Sequence, residues 1–134
     1  MKPPRNYDKL KILIVDDSDF NRRTMAEILT GEGFNVVGQA KSAEDAIQIA
    51  HSTKANLIFI DVVMPDISGL ELAKHFQEKQ AGERFLIMMS SLNIESIVIE
   101  SISNGAIDFL QKPFEKEDLL KAVEKIERLV EKER

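Results

Sequence analysis

"KILIVDD", residues 11–17, is an apolar, β-branched run that stops on two adjacent carboxylates, Asp16 and Asp17. It reads as a strand buried on both faces, because polar residues flank the run and none interrupts it. "LIFID", residues 57–61, has the same form and stops on a third carboxylate, Asp61. Strands this uniformly apolar belong to parallel sheets covered by helices on both sides.

Outward from these two runs, strand and helix patterns alternate. After "LKILIVDD" the segment "DFNRRTMAEILTGEG" carries Phe20, Met25, Ile28 and Leu29 at helical spacing, with Ser18 as its N-cap and Gly31 and Gly33 at its end. "NVVGQA" is a short strand, and Ser42 with Asp45 forms a capping pair for "SAEDAIQIAHS". Past "NLIFID", the loop "VVMPDISG" leads into an amphipathic helix, "LELAKHFQEKQAG". "FLIMM" is a fourth strand, followed by Ser90, Ser91 and a helix from about Asn93 to Asn104. "IDFLQ" is the fifth strand. After Lys112-Pro113, a last helix places Leu119, Leu120, Val123, Ile126 and Val130 on one stripe. Five strand–helix units with short loops predict an α/β fold, a doubly wound parallel sheet.

The chain has 134 residues, 43% hydrophobic and 31% charged, which suits one globular domain over 1–134. Its core is expected over about 10–130, with a polar extension at 1–9 and a charged helix end at 129–134. The net charge of −5 argues against a nucleic-acid surface. No cysteine is present, so thiolate metal sites and disulfides are excluded. The start, "MKPPRNYDKLK", lacks the apolar core of a signal peptide, and no run reaches membrane-spanning length. The expected location is the cytoplasm, with no membrane partner.

Ligands of an open parallel sheet bind at the carboxyl ends of its strands. Asp16 and Asp17 follow the first strand, Asp61 ends the third, Ser90 follows the fourth and Lys112 the fifth. Singly, each has a plain structural role available: an Asp after a strand is commonly a helix cap. If strands one and three are neighbours, these groups jointly gather three carboxylates, a hydroxyl and an ammonium at one edge. Close carboxylates repel one another unless a cation intervenes, and a hard divalent ion such as Mg2+ suits oxygen donors. Carboxylates also serve as nucleophiles in aspartyl-phosphate chemistry. Phosphoryl transfer onto an aspartate is the chemistry implied.

"ILIVDDSDFNRR", "LIFIDVVMPDISGLEL", "MMSS" and "GAIDFLQKPF", in this order and spacing, resemble a response-regulator receiver domain from Leu10 to Val130. The resemblance implies a flavodoxin-like (βα)5 fold with strand order 2-1-3-4-5. It makes Asp61 the phosphoacceptor and gives Mg2+ to Asp17, to Asp16 mainly through water, to Asp61 and to the backbone carbonyl of Val63. Lys112 pairs with the phosphoryl group, the bond to Pro113 is cis, and Ser90 bonds a phosphoryl oxygen in the active state. Phe109 holds the aromatic switch position, where a plain core role is the competing reading. The resemblance also implies a signalling switch, not an enzyme, that assists its own phosphorylation and dephosphorylation. A sensor histidine kinase or phosphotransfer protein would be the donor. A downstream target would dock on the fourth helix, fifth strand and fifth helix, where Ile99 lies off the apolar stripe of Ile94, Ile97, Val98 and Ile102.

Val63 and Leu92 stand two residues past Asp61 and Ser90, where many relatives carry polar side chains, so both bear on the dephosphorylation rate. "SIVIESISNGAIDFLQKPF" is particularly similar to CheY-type chemotaxis regulators and to the receiver of the chemotaxis methylesterase. Two alternatives stand beside this reading. The chain could be the receiver of a larger regulator with a DNA-binding or enzymatic output domain. "DDSD" also offers the Asp17-x-Asp19 of a haloacid-dehalogenase-type phosphatase, but the threonine or valine expected two positions later is missing. His51 and His75 fall in helices away from the strand ends and read as solvated.

Overall fold

The computed structural model describes residues 9–78, 84–92 and 95–132. Strands and helices alternate along them: β1 (Lys11–Val15), α1 (Asp19–Gly31), β2 (Asn35–Ala40), α2 (Ala43–Thr53), β3 (Leu57–Asp61), α3 (Gly69–Glu78), β4 (Phe85–Ser90), α4 (Glu95–Ser103), β5 (Ala106–Gln111) and α5 (Lys116–Lys132). The strands form one parallel sheet in the order β2-β1-β3-β4-β5, as expected. Asn93 and Ile94, the polar stretch before Lys9, residues 79–83 and the last two residues lie outside the described residues.

Alternation along each strand builds two cores, one per face. Ile12, Ile14, Leu57, Phe59, Ile87 and Met89 pack with Met25 and Leu29 of α1 and Leu119, Val123 and Ile126 of α5. Leu13, Val15, Ile58, Ile60, Leu86 and Met88 share the other core with Ala46 and Ala50 of α2 and Leu72, Ala73 and Phe76 of α3. Apolar residues therefore run without a break through β1 and β3, which explains the uniform sequence runs. Both expected N-caps form: Ser18 Oγ accepts from Asn21 N and Ser42 Oγ from Asp45 N, each at 3.2 Å.

Three side chains depart from the sequence reading. Phe20 is 76% exposed. At 100° per residue it lies about 140° around α1 from Met25, in a first turn that no strand underlies. Ile102, assigned to the buried stripe of α4, is 59% exposed. That helix instead seats Ile97, Val98 and Ser101 inward. The buried Ser101 hydroxyl donates to Ile97 O at 2.7 Å, so a polar residue fits the face without an unmet bond. His75 is half-buried, edge-on to Phe76 with ring centroids 5.9 Å apart, while His51 is exposed as read.

Candidate functional site

The chain turns back between β1 and β3: β2 lies on one side of β1 and the later strands on the other. A crevice opens at such a reversal, beyond the carboxyl ends of the strands. Asp16 follows β1, Asp61 closes β3, Ser90 closes β4 and Lys112 follows β5, so four neighbouring strands deliver side chains to one edge.

Three of these side chains are fixed by the same local device. Asp16 Oδ1 accepts from Ser18 N at 2.9 Å, Asp61 Oδ1 from Val63 N at 3.0 Å and Ser90 Oγ from Leu92 N at 2.9 Å. A short polar side chain that bonds the amide two residues on turns the chain sharply and fixes its own rotamer. In each carboxylate one oxygen is used by its own loop and the other is left for the site.

Those remaining oxygens meet on Lys112. Its Nζ donates to Asp16 Oδ2 at 2.6 Å and to Asp61 Oδ2 at 2.8 Å. Its backbone holds it there: Lys112 N donates to Ser90 O at 2.8 Å, and the Lys112–Pro113 bond is cis. Asp17 completes the cluster from the exposed side, with one oxygen of each of Asp16, Asp17 and Asp61 within 4.8 Å of the others. Burial pushes the Asp61 carboxyl above the ordinary carboxylate range, and the charge of Asp16 adds to this, against the pull of Lys112 and the Val63 amide. Burial alone would lower the Lys112 ammonium; its bonds to Asp16 and Asp61 outweigh that and raise it.

The donor set is entirely oxygen, and Lys112 balances only one of the three carboxylate charges. A hard divalent cation of the Mg2+ type fits this set, whereas Zn2+ prefers nitrogen and sulfur. Ser90 is fully buried with its hydroxyl turned into its own loop. Val63 and Leu92 are 56% and 41% exposed. Phe109 is half-buried and, like Ile97, packs against the core of the α2–α3 face. Ile99 is exposed on α4.

Other contributors escaped the sequence reading. Arg22 Nη1 donates to the Asp16 carbonyl, and its other nitrogen pairs with Asp19. Gly69 lies so close to β3 that a Cβ would overlap the Asp61 carbonyl oxygen, which excludes every other residue there. Asp66 accepts from the amides of Ala43 and Glu44 at the start of α2, at 3.1 Å each. The glycine was legible as a turn residue; the long-range bonds had no local signal.

Comparison with known proteins converges on one family. The model of the response regulator receiver domain matches residues 12–124. The chemotaxis protein CheY of Bacillus subtilis is 36% identical over 115 residues, covering 86% of this chain and 95% of that protein. The protein-glutamate methylesterase/protein-glutamine glutaminase of Archaeoglobus fulgidus is 37% identical over 106 residues, 78% of this chain but 30% of that protein. Among solved structures, the CheX–CheY–BeF3–Mg2+ complex of Borrelia burgdorferi aligns with a TM-score of 0.81 and 29% identity, over 87% of this chain and 88% of that one.

Proposed function

The chain belongs to the response-regulator receiver family, and from that premise we propose that Asp61 accepts a phosphoryl group and that its arrival switches a protein-binding face. The observation that carries this reading is the Lys112 ammonium bonded at once to Asp16 and Asp61 at the crevice. A nucleophilic carboxylate needs positive charge beside it to receive an anionic phosphoryl group. A phosphohistidine on a sensor kinase or phosphotransfer protein is the donor. An Asp61 oxygen forms the new bond to phosphorus as the bond to the imidazole nitrogen breaks, and the electron pair leaves with that nitrogen.

Asp17, Asp61, the Val63 carbonyl and, mainly through water, Asp16 are the groups to hold Mg2+. When bound, the ion supplies positive charge to the phosphoryl oxygens. The Borrelia relative was captured with both Mg2+ and a phosphoryl mimic, which supports this assignment. Lys112 exchanges its bond to Asp61 for one to the phosphoryl oxygens. Ser90 gives up the Leu92 amide to bond the same group, and Phe109 moves with the loop. The output face is α4, β5 and α5, where Ile99 and Ile102 are exposed for a downstream target. The protein thus acts as a switch that assists its own phosphorylation and dephosphorylation, not as a metabolic enzyme. The family match decides against the haloacid-dehalogenase alternative.

The chemotaxis relatives favour a place in chemotaxis signalling. No helix among the described residues is long and apolar enough to cross a membrane. The cytoplasm, where such kinases display their phosphohistidine, is the proposed compartment. Acetyl phosphate with Mg2+ tests the assignment directly: intact mass should rise by one phosphoryl group, and Asp61→Asn should abolish the gain while the circular dichroism spectrum is kept. Stoichiometric phosphorylation of Asp61→Asn would move the site elsewhere.

A further inference from the structure

The loop between β3 and α3 carries the Val63 carbonyl, yet few directional bonds hold it. Its neck is closed where Gly69 N donates to Val62 O at 2.8 Å, and Val62 N is tied to Met89 O at 2.8 Å. Beyond the neck, residues 63–68 belong to no helix or strand. Met64 packs on the core below, a contact without direction. Asp66 supplies the direction: its two oxygens take the amides of Ala43 and Glu44, the first two residues of α2, at 3.1 Å each. Ser42 takes the third, from Asp45. The first turn of α2 therefore has two caps, one from its own loop and one from the loop that follows β3.

The segment joined in this way is itself tied to the carboxylates. Ala40, the last residue of β2, accepts from Asp16 N at 3.0 Å through its carbonyl. A closed circuit results. It runs from Asp16 through Ala40 to Ala43, across Asp66 into the Val63 loop, through Val63 N to Asp61 Oδ1, and back through Lys112 to Asp16. The β2–α2 segment contributes no ligand or nucleophile to the site, but it fixes the spacing of the two loops that do.

We propose that Asp66 is a positioning residue for the cation site, holding the Val63 carbonyl toward Asp17 and Asp61 by clamping its loop to the start of α2. The inference rests on the Mg2+ assignment proposed above. Backbone amides, the Ala43 bond first and Glu44 after it, also hold the Asp66 carboxyl below the ordinary carboxylate range. An outer partner that orients a ligand commonly sets metal affinity by about tenfold or more.

The test separates the clamp from simple capping. Mg2+ alone is titrated into the parent, Asp66→Ala, Asp66→Asn and Ser42→Ala proteins, following the backbone amide shifts of Asp17 and Val63. Ser42→Ala and Asp66→Ala both remove a cap from the same helix, and both should lower the melting temperature. Only Asp66→Ala should weaken Mg2+ binding, by about tenfold. Asp66→Asn should recover part of that loss, because its one carboxamide oxygen still accepts an amide. Parent-like affinity in Asp66→Ala, or equal weakening in Ser42→Ala, overturns the clamp. Asp17→Asn serves as the control for the underlying site: if it binds Mg2+ as the parent does, the cation assignment fails first and the clamp falls with it.

Discussion

At the amino edge of the sheet a single neutral residue, just before β3, bonds to both β1 and β4. Asn56 Oδ1 accepts from Lys11 N at 2.8 Å, its Nδ2 donates to Lys9 O at 2.6 Å, and its backbone pairs with Lys11 O and with Phe85 N. At the carboxyl edge the same strands end on Asp16, Asp61 and Ser90, and among the described residues only Lys112 is a cationic bond partner to the two acids. Both edges leave no buried side-chain polar atom unpartnered among the described residues. The difference is charge. An amide whose donors and acceptors are matched by backbone is finished, whereas three carboxylates facing one ammonium still attract a cation and an electrophile. Hydrogen bonds complete the first edge, and the second is left with an excess of negative charge that suits the proposed cation.

Exchanging the roles of the two edges is the way to break this comparison. Asn56→Ala leaves Lys11 N and Lys9 O without their partner and should cost about 2 kcal/mol in urea denaturation. Phosphorylation by acetyl phosphate should proceed at the parent rate. A loss of phosphorylation in that variant would mean that the edges are not separable.

A smaller effect is expected from the apolar rim. Hydrolysis of an acyl phosphate needs a water in line with phosphorus, and neither the Val63 nor the Leu92 side chain can hold one. The double variant Val63→Asn with Leu92→Glu should release phosphate about tenfold faster, roughly 1.4 kcal/mol in barrier. An unchanged rate, followed in real time, removes these two positions from the timing of the switch.

Asp17→Asn relieves repulsion at the exposed corner of the cluster. It should lose Mg2+ binding yet raise the metal-free melting temperature by about 1–2 °C. A clear fall would make Asp17 a structural residue.

Finest of all is a difference within the carboxyl edge. Asp61 titrates above its ordinary value, because burial disfavours its charge. Its contribution to metal-free stability is therefore poorest at neutral pH and recovers as pH falls through that raised value. Asp66 titrates below its ordinary value, because amides favour its charge. Its contribution is present at neutral pH and lost as pH falls through the lowered value. Carboxyl carbon shifts followed from pH 7 downward should show Asp61 protonating first; the reverse order contradicts both environments.

Much of this was legible from residue order, because strands apolar on both faces that alternate with helices point to a covered parallel sheet, and their ends then share an edge. The bonds that complete the site were less legible. Asp66 meets α2 across the fold, through contacts that no local spacing encodes, whereas Arg22 reaches the Asp16 carbonyl only six residues away. On α4 a hydropathy stripe misled: the buried hydroxyl of Ser101 finds its partner in the preceding turn, so a serine lies inward and Ile102 outward. Phe20 was misread for a geometric reason, since a helix starting at the strand ends has its first turn beyond the sheet.

The division between the two edges, and with it the claim that the carboxyl edge is where the signal is written, can be read in one experiment. Amide 1H–15N spectra are recorded before and after adding beryllium fluoride with Mg2+. Shifts should concentrate at Asp16–Asp17, Asp61–Val63 and Ser90–Leu92 and extend through Phe109 to α4, while Lys9, Lys11, Asn56 and Phe85 stay in place. Silent Asp61 and Ser90 amides, or shifts centred on Asn56, would contradict it.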